Sequence, residues 1–277
     1  MSSPPLPFAP PPDLAGWTAL FRGAEIPVLA GTAEALELLR LDEDAVDANS
    51  LGEMIASDPL MTLKVLAYAA AHRSSRIQTG AETVTAALVL MGITPFFREF
   101  GPQPTIETRL ADHPQALAGL QRVLRRAERA ARYALAFAVH RMDPDAAVIY
   151  SAAMLHDFAE MLLWVHAPDL ALQVLQRQQA DKQLRSAVVQ RELLHIELGD
   201  LEQALMKAWH LPELLTRITN DKRTHDPQLQ CVRLAVRLAR HTAEGWHDAA
   251  IPDDLREIGT LLNLSVEHTL KLLHEYD

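Results

Sequence analysis

His156 and Asp157 stand next to each other inside the apolar run Val148 to Leu163. An imidazole and a carboxylate side by side are two donors that divalent metals accept, and a metal so held activates water for attack on phosphate esters. Two donors are too few for a stable site. Glu160 follows Asp157 by three residues and His156 by four, which puts all three on one helical face. His195 is the further imidazole that would complete such a cluster from another part of the chain. A different chemistry is available to the same doublet. Leu124 to Ala131 holds Arg125, Arg126 and Arg129 and no histidine. A guanidinium does not ligate a metal, but it pairs with a carboxylate through parallel hydrogen bonds. The expectation is therefore that Asp157 accepts hydrogen bonds or an arginine pair and that His156 packs as a hydrogen-bonded, partly buried side chain. Metal ligands and cofactors are expected to be none.

Positioning these side chains falls to helices. The chain has 277 residues, 49% of them hydrophobic and only 5% aromatic. Leu and Ala dominate, and both favour helix over strand. The fold class expected is all-α, a multi-helix bundle of two subdomains. The formal net charge of −10 disfavours general nucleic-acid binding, and an Arg-rich helical face at Arg122, Arg125, Arg126, Arg129 and Arg132 is expected to be solvated. The single cysteine, Cys231, excludes an internal disulfide and suits a reducing compartment, so the cytoplasm is expected. No signal peptide is expected at the start of the sequence, and no apolar run is expected to reach the roughly 20 residues of a membrane helix.

Residues 1–13 carry six prolines and read as an extended tail. Residues 14–105 form the first helical subdomain. Thr32 and Ser50 are candidate N-caps, the latter with Glu53 in a capping box, and Asp58-Pro59 opens a further helix. Gly101-Pro102 is the clearest internal break. Residues 106–225 form the second subdomain, with one amphipathic helix from Pro114 to His140, the doublet-bearing run, and another long helix from Val188 to Trp209. Residues 226–277 add a C-terminal helical extension, with Cys231 on a buried face. Trp209 and Pro212 read as core and turn, and His195 as an ordinary polar contact orienting the start of its helix. No P-loop, GxSxG elbow or exposed nucleophilic cysteine is present.

The order of motifs resembles the HDOD family, the HD-related output domains of bacterial signalling proteins, over residues 26–222. Ile26-Pro27-Val28-Leu29, Asp58-Pro59-Leu60 with Lys64-Val65-Leu66, Ala87 through Ile93, Ala152 through Asp157, and His195-Ile196-Glu197-Leu198-Gly199 followed by Trp209-His210-Leu211-Pro212 carry the resemblance. It implies that the second subdomain has the HD-domain fold. Active members of the wider HD superfamily hydrolyse phosphate esters with one or two divalent metals held by an upstream histidine, the doublet and a downstream aspartate. Here the upstream histidine is missing. Ala70 and Ala71 stand where the family has Asn-Ser, Ala159 and Glu160 replace a Gly-Lys, and Asn220, Asp221 and Lys222 replace paired histidines. The doublet is thus expected to be vestigial, with Glu160, His195, Arg125 and Arg129 as its neighbours.

The function expected is a non-catalytic regulatory module that binds a protein partner or a nucleotide-like ligand in a groove between the two bundles, lined by Phe96, Phe97 and the Arg-rich helix. The alternatives are a metal-dependent phosphohydrolase acting on a nucleotide and a nucleic-acid regulator using the Arg face.

Overall fold

The computed structural model describes residues 9–72, 80–181, 184–220 and 226–277. Asp221, Lys222 and the first prolines of the tail lie outside these residues. Among the described residues the architecture is all-α, with one isolated bridge between Val28 and Thr105. In chain order the elements are α1 (Leu14–Arg22), α2 (Ala30–Arg40), a 3-10 turn (Glu43–Ala45), α3 (Ala48–Ala56), α4 (Pro59–Ala71), α5 (Val84–Met91), α6 (Ile93–Glu99), α7 (Ile106–Arg109) and α8 (Pro114–His140). They continue with α9 (Ala146–Leu155), α10 (Phe158–His166), α11 (Pro168–Ala180), α12 (Ser186–Leu194), α13 (Leu198–Ala208), α14 (Glu213–Ile218), α15 (Pro227–His241), α16 (Ile251–Leu262) and α17 (Val266–Glu275).

Helices α4, α8, α11, α15 and α16 begin with proline in the first turn, where the missing N–H removes a donor that has no intrahelical partner. Asp58 caps α4, accepting from the Leu60 and Met61 amides, and its other oxygen accepts from Leu29 N at 2.8 Å. One buried carboxylate thereby ties the Ile26–Leu29 segment to the start of α4. Two of the expected caps lie elsewhere. Asp47, not Ser50, caps α3, accepting from Asn49 N and Ser50 N, while Ser50 itself donates its hydroxyl to Asp47. A carboxylate answers the positive helix terminus better than a hydroxyl does. Thr32 is buried within α2, which starts at Ala30.

Two hydrophobic clusters hold the chain. The smaller gathers Val28, Leu36, Leu51, Ile55, Met61, Val65, Leu88 and the ring group Phe96, Phe97 and Phe100. Phe96 and Phe97 are therefore core residues and not the lining of a groove. The larger cluster surrounds α8, α9, α10, α13 and α15. It also takes in Trp17 and Phe21 of α1, so the clusters do not follow the division at residue 105. Trp17 is fully buried and donates its indole N–H to the Leu194 carbonyl at 2.8 Å. Of the expected Arg face, Arg122 and Arg125 are exposed, whereas Arg126, Arg129 and Arg132 are partly covered.

Two long helices expected from periodicity are interrupted. The run from Val188 to Trp209 splits into α12 and α13 at His195, which takes the left-handed conformation at φ 62. Gln190 then accepts from the Leu198 amide at 3.0 Å and so satisfies the start of α13. The apolar run around the doublet breaks at the doublet itself, between α9 and α10. Taken through that break, Ala146–His166 is long and apolar enough to pass for a membrane span, contrary to the sequence reading, but 78% of its most apolar window is buried inside the protein. Its apolar residues serve the larger cluster.

Candidate functional site

The break between α9 and α10 is what presents the doublet. His156 closes α9 and Asp157 precedes α10, so the Asp157 side chain leaves the helix at its kink and meets residues from α8 and α15. Asp157 Oδ2 accepts from Arg126 Nε at 3.0 Å and Arg126 Nη2 at 2.7 Å. The same Nη2 donates to Glu160 Oε2 at 2.7 Å. Asp157 Oδ1 accepts from Arg240 Nη2 at 2.7 Å and faces His156 Nδ1 at 3.1 Å. The Asp157 side chain is only 9% exposed, Arg126 20% and Arg240 48%.

Burial alone would raise the Asp157 carboxyl, but the Arg240 and Arg126 guanidiniums and the His156 hydrogen bond hold it well below the usual carboxylate range. Asp157 in turn raises Arg240 further. The carboxylate is therefore ionised and fully engaged.

Both guanidiniums and both doublet side chains line a cavity of about 480 Å³. The rest of its lining is mixed, with Leu163 and Trp164 of α10, Val174 and Leu175 of α11 and Leu198 of α13 beside the polar Gln178, Gln190, Glu197 and Glu202. Trp164 lies over Gly119 of α8, where a Cβ atom would collide with the indole ring.

The structure brings His156, Asp157 and Glu160 together, with an arginine among them. That arginine is Arg126. Arg125 points to solvent on the same helix, and Arg129 turns to the Thr242 carbonyl and the Asp277 carboxylate. On an α-helix neighbouring residues are 100° apart, so of the three only one faces the doublet. His195 is exposed at the C-terminus of α12 and does not line the cavity, contrary to the expectation that it neighbours the doublet. Sequence reasoning missed Arg240 altogether. It lies on α15, and nothing in local spacing links it to residue 157.

The divalent metal that the HD superfamily implies does not fit these residues. Among the described residues no three His, Cys, Asp or Glu side chains are grouped to hold an ion. Both oxygens of Asp157 already accept from guanidiniums, whose charges oppose a cation at the same position.

No curated protein matches this sequence. Solved structures do resemble the fold. The MmoQ response regulator of Methylococcus capsulatus superimposes with a TM-score of 0.68 at 19% identity, covering 90% of this chain and 98% of that one. A virulence factor of Campylobacter jejuni gives 0.65 at 17% identity, covering 94% and 95%. An HDOD domain protein of Geobacter sulfurreducens gives 0.50 at 13%, covering 95% and 93%. At these identities the likeness shows the fold alone. The HDOD domain family matches residues 26–225, most of the chain. With the doublet, its helices and that match in hand, this all-α chain belongs to the HDOD domain family.

Proposed function

We propose that this protein is a non-catalytic regulatory module of signal transduction, acting in the cytoplasm by binding a protein partner or a small, nucleotide-like ligand. The observation that carries this reading is the state of Asp157: ionised, 9% exposed and hydrogen-bonded to two arginines. A carboxylate so engaged has no lone pair directed at a metal and no proton to give. Hydrolysis of a phosphate ester in an HD-type site needs the metal to polarise the phosphoryl group and generate hydroxide. Family membership and the response-regulator description of the MmoQ neighbour support a signalling role. The cavity beside the doublet has the size and mixed lining of a small-molecule site. The net charge of −10 speaks against a nucleic-acid partner.

The test is to assay the purified full chain against bis(p-nitrophenyl) phosphate with added Mn²⁺, Mg²⁺ or Fe²⁺ and to measure its metal content. The expected result is no metal-dependent turnover and no stoichiometric metal. Turnover that disappears in His156→Ala and Asp157→Ala would overturn the proposal.

A further inference from the structure

We propose that Arg126 and Arg240 together do the electrostatic work that a divalent cation would do at this doublet. The inference rests on the non-catalytic reading above and gives the arginine pair its role. Arg126 and Arg240 bring two positive charges to Asp157 and Glu160, which carry two negative ones. Over these four side chains the balance is that of one dication against two carboxylates. The connections are those a central ion would make. Arg126 belongs to α8, Asp157 and Glu160 to the α9–α10 break, and Arg240 to α15, so the pair cross-links three parts of the larger cluster.

The burial of Asp157 makes this neutralisation necessary. An ionised carboxylate that is 9% exposed is strongly destabilising when its partners are removed, because its charge stays out of water without compensation. A single guanidinium already shared with Glu160 leaves the second Asp157 oxygen with only the His156 ring nitrogen at 3.1 Å, and Arg240 brings a full positive charge to it at 2.7 Å. Arg240 lies beyond the segment that the HDOD family matches, residues 26–225. The second half of the neutralising charge is therefore supplied by α15, outside the matched segment.

The experiment compares thermal unfolding of the full-length wild type, the double variant Arg126→Met/Arg240→Met, and a triple variant that adds Asp157→Asn. Each is measured at pH 8 in EDTA. The double variant is expected to lose about 6–10 °C in EDTA, and the triple variant to recover at least half of that loss because no buried charge is left uncompensated. A double variant as stable as the wild type, or a triple variant no more stable than the double, would each overturn the proposal. If the double variant fails to fold, a triple variant that folds supports it and one that does not fold overturns it. None of these readouts involves turnover, so they are separate from the phosphodiester assay that tests the function.

Discussion

Arg126 Nη2 sits 2.7 Å from Asp157 Oδ2 and 2.7 Å from Glu160 Oε2, so one guanidinium nitrogen bridges two carboxylates across the start of α10. Its sequence neighbour Arg125 is exposed. Adjacent arginines on α8 should therefore behave differently. Arg126→Ala is expected to cost about 3–5 kcal/mol, because it strips a mostly buried carboxylate of a partner. Arg125→Ala should stay within about 0.5 kcal/mol of wild type. Urea unfolding of the two variants checks the contrast, and equal losses would contradict it.

The same carboxylate predicts how stability responds to acid. The folded pKa of Asp157 lies below its unfolded value, held there against burial by Arg240 and Arg126. The unfolded chain therefore binds the proton more readily, and stability must fall as pH drops. The contribution is complete above about pH 4, the unfolded value, and is lost as pH falls through the folded one. Comparing the wild type with Asp157→Asn from pH 7 to pH 3, the wild type should lose stability more steeply below about pH 4. Parallel curves would reject the assignment.

Asp58 offers a test at the other end of the molecule. It is fully buried, caps α4 and holds the Leu29 amide. Asp58→Ala removes a cap and leaves Leu29 N without its acceptor, for an expected loss of roughly 2–4 kcal/mol. Asp58→Asn keeps one acceptor oxygen but turns its NH2 toward an amide that the other carboxylate oxygen now serves, so it should lose less than Asp58→Ala while falling well short of wild type. Chemical denaturation of both variants distinguishes capping from simple packing, for which the two would lose equally.

His195 is exposed and left-handed at φ 62, a conformation that disfavours side chains with a Cβ atom. His195→Gly is therefore expected to raise stability by about 0.5–1 kcal/mol, after allowing for the freer unfolded chain. A loss instead would show that the imidazole makes a contact worth more than the backbone strain. Differential scanning calorimetry resolves the sign.

Several of these features were legible in the sequence because their causes are local. The prolines at helix starts marked α4 and α8, and the three- and four-residue spacing of α8 placed both its ends. The pairing of Asp157 with an arginine was legible as chemistry, since the residues upstream held guanidiniums and no imidazole. Which arginine was not legible, because facing depends on the phase of α8 against α10. The break at His195 has neither glycine nor proline to announce it. It is fixed by distant partners, with Trp17 taking the Leu194 carbonyl and Gln190 the Leu198 amide. Arg240 is a contact between residues 83 positions apart, which no periodicity encodes.

Gly119 has a consequence for the cavity that its own position conceals. The indole of Trp164 is a thin partition between the backbone of α8 and the hollow beside the doublet. Any residue with a side chain at 119 must push that partition forward. A position whose atoms never face a guest molecule thus sets how much room the guest is given.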